Sequence, residues 1–242
     1  MTFYLPHAAL CALALASAPV FAQGPTTLEA SHFSIGNSWA YESDVITSDA
    51  NGVTRISLTD AAKTLKTATT FSENGDGYSG NFSVTLRPGY RMTGFSVSGT
   101  MFGGLGAITE PGGLPGNGNT KNTMRMDLGA YTPATGSVSD MRVDYSMIDG
   151  KLPFVLASTP LSLTGEVSLS MWNMVTVTSW PYNLPGYPDG PPGQLVYTLA
   201  SMQVLNPTLT IYTSAVPEPE TYAMLLAGMA VIGLARRRRR AA

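Results

Sequence analysis

The sequence predicts a single antiparallel β-sandwich, jelly-roll-like, over residues 23–215, with an apolar leader before it and a short apolar helix after it. Three observations carry that expectation. Apolar and polar residues alternate with a period of two through most of the middle of the chain, the pattern of sheets with one wet face. Charged residues are only 12% of the chain, and Lys occurs four times (Lys63, Lys66, Lys121, Lys151), so helix formers are scarce. Gly (25) and Pro (17), together with Ser and Thr, punctuate the alternating runs, as turns between strands require.

Taken in chain order, Asn51-Gly52 is the first turn signal, and residues 60–65 (DAAKTL) are the one candidate for a short helix. Asn74-Gly75-Asp76-Gly77 reads as a hairpin turn. Ser72-Glu73-Asn74-Gly75-Asp76-Gly77 resembles the first half of a calcium loop, but Ser83 stands at the twelfth position, where a bidentate Glu would be needed. Phe82, Val84 and Leu86 then alternate with polar residues. After the Pro88-Gly89 turn, Phe95, Val97, Gly99 and Met101 do the same. Met141, Val143, Tyr145 and Met147 follow, then the Asp149-Gly150 turn, and then the longest run, Leu161, Leu163, Val167, Leu169 and Met171. Leu209 and Ile211 close the series. Residues 103–119 and 181–193 are rich in Gly and Pro and read as surface loops. Trp39 and Trp172 fall within strand-like segments and read as packing residues.

Composition excludes several functions. Residues 23–215 hold nine Lys/Arg against fourteen Asp/Glu, and an acidic body without a basic patch argues against nucleic acid as a partner. The one cysteine, Cys11, lies inside the apolar leader, so the body has neither disulfide nor thiolate metal site. His32 is the only histidine past the leader. With no G-x-S-x-G elbow beside it, His32 reads as a surface or packing residue. No glycine spacing matches a phosphate or dinucleotide loop, and no cofactor is expected.

Two chemistries remain. Glu110, Asp127, Asp140, Asp144, Glu166 and Asp189 could supply the acid pair of a glycan hydrolase, although any sandwich carries such acids on its polar faces. Trp180, Tyr182 and Tyr187 lie on one Pro/Gly-rich loop, where exposed rings suit stacking on sugar faces. The ordinary reading of those rings, a rim packed on the sandwich, is favoured by the residues alone, so sugar binding is the specific activity expected only as an alternative to a structural role. No catalytic residue and no metal site is assigned.

The two ends read as addresses. Residues 8–16 are an apolar run of signal-peptide length, and Val20-Phe21-Ala22 offers a cleavage site after Ala22. Near the other end, residues 222–235 carry no charge. As a helix they span about 21 Å, short of a bilayer core of about 30 Å. The adjacent Arg236, Arg237, Arg238, Arg239 and Arg240 favour a stop-transfer segment held by cytoplasmic arginines, which snorkelling would lengthen. Just before it, Pro217 and Pro219 lack backbone N–H groups and hold Val216 and Glu218 extended.

Val216-Pro217-Glu218-Pro219, the apolar run and the terminal arginine cluster together closely resemble the PEP-CTERM sorting signal. The resemblance covers about the last 25 residues. It implies export through the inner membrane of a Gram-negative bacterium, transient anchoring there, and processing near Pro-Glu-Pro by a membrane-embedded exosortase. It also implies roles for residues: Pro217, Glu218 and Pro219 as the recognition element, and Arg236 to Arg240 as the retention signal. The expected destination is the cell surface or an extracellular polysaccharide matrix, and the expected role is structural or adhesive, without catalysis.

Overall fold

The computed structural model describes residues 27–37, 43–106, 108–109, 115–116, 119–184, 186, 192–217, 224 and 226–229. The leader with its cleavage residue Ala22, and also Trp39, Glu110, Tyr187, Asp189, Glu218, Pro219 and Arg236 to Arg240, lie outside the described residues.

The first strands are β1 (Thr27–Glu29), β2 (Phe33–Asn37), β3 (Val45–Ala50) and β4 (Val53–Ser57), followed by the helix α1 (Thr59–Thr64). Next come β5 (Lys66–Thr69), β6 (Ser72–Leu86), β7 (Tyr90–Leu105), β8 (Ile108–Thr109) and β9 (Pro115–Gly116). The chain continues through β10 (Asn119–Thr132), β11 (Gly136–Ser146), β12 (Gly150–Ala157) and β13 (Glu166–Trp180). It ends in β14 (Tyr182–Leu184), β15 (Gln194–Val196) and β16 (Ala200–Ala215).

Two antiparallel sheets face each other. One runs β1-β2-β6-β13-β10-β11. The other runs β12-β7-β16-β4-β3, with β5 also paired to β16. The sandwich is therefore as expected, and alternation explains it. On β13 Val167, Leu169, Met171, Val175 and Val177 are buried, while Glu166, Ser170, Trp172, Met174 and Trp180 are exposed. Phe33, Phe82 and Leu128 from the first sheet meet Phe95, Met101 and Leu209 from the second in one core. Methionine fills much of it (Met92, Met101, Met124, Met126, Met171, Met202), a flexible side chain suited to irregular gaps.

The turns follow their residues. Asn51 (φ +53) and Gly52 (φ +74) join β3 to β4, the two positive φ angles that suit a twisted hairpin. The helix predicted over residues 60–65 is α1. The 74–77 stretch is a correction: Gly75 and Gly77 are neither turn nor calcium loop but lie inside β6, paired with Thr176 and Met174. A Cβ on Gly75 would stand 3.1 Å from the Val175 carbonyl oxygen, so here glycine marks close approach of two strands rather than a reversal. The segment expected as a loop from residue 103 is partly strand as well, since β7 continues to Leu105.

β16 changes face midway. Ala200, Met202 and Val204 point inward, then Leu209, Ile211 and Thr213 do. The register against β7 shifts between Leu205 and Thr208, where Asn206 adopts φ +50. One β-bulge moves the inward set from even to odd positions.

Among the described residues, helical conformation near the C-terminus is found at 224 and 226–229. No helix among them is long and apolar enough to cross a membrane.

Candidate functional site at the two ends of the sandwich

The sorting junction and the aromatic rings occupy opposite ends. Ala215, the last residue of β16, pairs with Tyr90 at the start of β7, and Ala200 at the other end pairs with Leu105. Just past the strand, the Val216 N–H donates to the Gly89 carbonyl at 2.7 Å. Val216 and exposed Pro217 line an open groove of about 370 Å³ with Leu86, Arg87, Tyr90 and Gly165. Pro217 thus leaves the body at the β6–β7 turn, directly beyond the last ladder bond.

His32 lies near this junction. Its ring stacks on Tyr90 (centroids 4.0 Å apart, planes at 15°) and its Nδ1 sits 2.8 Å from Thr213 Oγ1. It packs against the strand that leads into the sorting segment.

At the far end, β13 finishes in Trp180, which is 48% exposed. Phe71, from the β5–β6 turn, meets it edge-on at 6.0 Å and 78°. Tyr197, just past β15, meets Phe71 at 6.3 Å and 62°. Phe71 and Tyr197 are each 56% exposed, and Leu195 and Leu199 beside them in sequence are exposed too. The turn that presents Phe71 is locked by Thr69, whose hydroxyl donates to the Phe71 carbonyl at 2.8 Å and accepts from its N–H at 3.2 Å. Ser179 Oγ donates to the Thr198 carbonyl at 2.6 Å and fixes the Tyr197 loop to β13. The rings therefore pack on one another and still present half their surface to solvent.

Of the sequence-predicted stacking residues, Trp180 belongs to this cluster. Tyr182 lies half-buried on the β14–β15 ribbon next to it. Phe71 and Tyr197 were missed: Phe71 is a lone aromatic among polar residues, and Tyr197 stands in the short apolar stretch LVYTL at 195–199, which gives no sign of exposure. Only the antiparallel register, which sets Ser72 against Ser179, brings Phe71 to Trp180.

Trp172 needs correction: it is no packing residue but stands 40% exposed on the outer face of β13. The Arg125 guanidinium lies 5.1 Å from its ring centre. Arg125 Nε is 2.8 Å from Asp127, and Arg142 Nε lies 3.0 Å from Asp144 and 3.9 Å from Asp127. Two of the candidate acids, Asp127 and Asp144, are thus tied to arginines. Asp140 pairs with Gly129 across β10–β11, and Glu166 accepts from Ser83 Oγ at 3.3 Å. Among the described residues no group of three or more His, Cys, Asp or Glu is placed to hold a metal.

Residues 215–240 match the family model described as the PEP-CTERM protein-sorting motif. The chain carries a PEP-CTERM sorting signal. The signal implies export and exosortase processing at the membrane, and the match spans Pro217, Glu218, Pro219 and Arg236 to Arg240. No curated protein matches the chain. Among solved structures it is similar to TmCBM61 in complex with beta-1,4-galactotriose, with a TM-score of 0.29 and 8% identity over 73% of this chain and 90% of that one. A likeness of that degree leaves the ligand of the PEP-CTERM body to be argued from its own residues.

Proposed function

We propose that this PEP-CTERM protein is an adhesive structural component of the cell surface or extracellular polysaccharide matrix, contacting glycan through the Phe71–Trp180–Tyr197 cluster and performing no catalysis of its own. One observation carries the reading. The cluster and the sorting junction sit at opposite ends of a body crossed by strands of fifteen and sixteen residues, about 50 Å at the usual strand rise. A body tethered at Val216 would hold those rings away from the membrane, toward the matrix.

The chemistry suits the role. Exposed rings held edge to face leave apolar ring surface open to the C–H faces of pyranose rings, and their preorganisation limits the entropy lost on binding. Of the acids that could have made a hydrolase, Asp127 and Asp144 are engaged by arginines and Glu166 by Ser83.

The test is retention of the purified body on exopolysaccharide from its host, for wild type and Phe71→Ala/Trp180→Ala. Loss of retention with an unchanged circular dichroism spectrum is expected. Equal retention of both proteins would remove the aromatic end from the function, and glycan turnover by wild type would replace the structural reading with a hydrolytic one.

A further inference from the structure

Trp172 and Trp180 stand on the same face of β13, eight residues apart, which is about 26 Å at 3.3 Å per residue. The strip between them is open. Its floor is Met174, Thr176 and Thr178. On one side the outward positions of β6 opposite Met174 and Thr176 are Gly77 and Gly75, which have no side chain to rise above the floor. On the other side, β10 sets Arg125, Thr123 and Lys121 opposite Met174, Thr176 and Thr178. The part of the strip nearest Trp172 widens into a groove of about 370 Å³, whose lining includes Thr123, Arg125, Ser146, Trp172, Met174 and Thr176.

We propose that this strip is a binding track for a linear, uncharged polysaccharide, held along its length by the two tryptophans. The proposal rests on the reading of the Trp180 end as a glycan contact and extends it to a ligand class. A monosaccharide cannot touch two rings 26 Å apart, whereas a chain of several pyranose units lies across both. The glycines leave room for such a chain to sit on the backbone, and the threonine hydroxyls beside it both donate and accept hydrogen bonds. Arg125, itself tied to Asp127, holds the Trp172 ring in place from one side.

Charge decides against an anionic polymer. Around Trp172, Arg125 and Arg142 are balanced by Asp127 and Asp144, and the body as a whole has nine basic against fourteen acidic residues. Along the strip Lys121 is matched by Glu73, both opposite Thr178, so no net positive charge is there to displace counterions from a polyanion, the release that drives such binding.

The experiment uses the neutral exopolysaccharide fraction of the host, partly hydrolysed and sized from two to ten sugars. Affinities are measured for wild type, Trp172→Ala, Trp180→Ala and Gly77→Val. A Cβ at Gly77 meets nothing closer than the Asn173 carbonyl oxygen at 3.5 Å, and Val favours strands, so that variant fills the track without disturbing the fold. Wild-type affinity should rise roughly tenfold or more from the shortest to the longest fragment, as a second contact is engaged. Trp172→Ala and Gly77→Val should each flatten that rise while leaving the shortest fragment unaffected, and Trp180→Ala should weaken every fragment. Binding that depends on Trp180 but not on length overturns the track and leaves the end-cluster reading standing. Binding to no fragment overturns both. If Trp172→Ala instead abolishes self-association with glycan affinity unchanged, the face belongs to a second copy of the chain and the track is overturned.

Discussion

Asn122 holds both backbone groups of Ile148. Its Oδ1 accepts from the Ile148 N–H at 2.7 Å, and its Nδ2 donates to the Ile148 carbonyl at 2.7 Å and to the Ser201 carbonyl at 3.1 Å. Asn122 belongs to β10 in one sheet, Ser201 to β16 in the other, and Ile148 to the crossover between β11 and β12. One fully buried amide therefore stitches the two sheets at the aromatic end. Asn122→Leu, similar in volume, would remove three hydrogen bonds and take the side-chain partner from both the N–H and the carbonyl of buried Ile148. A loss of about 2–4 kcal/mol is expected, read as a lower urea midpoint. Asn122→Asp should be at least as damaging, because a carboxylate would face the Ile148 and Ser201 carbonyls.

The bulge in β16 makes a second, separable prediction. Asn206 sits at φ +50, a left-handed conformation that Asn tolerates and β-branched residues do not. Asn206→Gly should leave stability within about 0.5 kcal/mol, whereas Asn206→Val should cost about 1–2 kcal/mol. If the Val variant instead slides the register, Leu209 and Ile211 would turn outward, and a hydrophobic dye that binds exposed apolar surface would detect it.

Two carboxyls should act oppositely on the pH dependence of stability. Burial pushes Asp44 up to about 6 from 3.8, against the pull of the Asp60 and Thr59 backbone N–H groups and Lys63, while the Asp60 carboxylate adds a smaller rise. The folded state thus holds that proton more tightly, so the contribution is full below about pH 4 and is lost as pH rises through 6. Asp49 is also pushed up by burial, but the Ser31 N–H and hydroxyl and the Thr54 hydroxyl, at 2.6, 2.7 and 2.8 Å, hold it below its ordinary value. Its contribution is present above that ordinary value and lost as pH falls. Asp44→Asn should therefore gain about 1–3 kcal/mol over wild type at pH 7 and nothing at pH 4. Asp49→Asn should lose stability at pH 7, with the loss shrinking in acid. Urea midpoints across this range check both.

The sandwich was legible because period-two alternation needs no partner to be read, and β13 displays it for fifteen residues. Turns were legible where two residues had to adopt positive φ, as at Asn51-Gly52. The same logic failed at Gly75 and Gly77, because glycine also marks close strand approach, and only pairing with β13 separates the two cases. Trp172 was misread for a related reason: alternation tells that a strand has two faces, not which of them is wet. The aromatic end was half legible. Trp180 stood out in a Pro-rich stretch, whereas Phe71 joins it only through register across more than a hundred residues of chain, and Tyr197 joins through Phe71.

The sorting signal yields the last prediction. The last described ladder pair joins Ala215 to Tyr90, and the Val216 N–H is spent on Gly89, so Pro217 is the first exposed residue free of the sheet. Proline at 217 and 219 cannot donate to any neighbouring strand, which keeps the segment from being drawn into the body as an extension of β16. Pro217 is thus the first exposed residue beyond the ladder that a membrane protease would meet. Intact mass from the native host should therefore show wild type without Arg236 to Arg240, and Pro217→Ala/Glu218→Ala/Pro219→Ala with its tail retained. Replacing only Val216 with Pro removes the donor to Gly89 and frees the junction from the turn, so processing of that variant should proceed at least as fast as in wild type. Tail retention by Val216→Pro would mean that the enzyme reads the junction as it is held against the β6–β7 turn. Arginines retained by wild type in every cell fraction would make the tail an ordinary anchor.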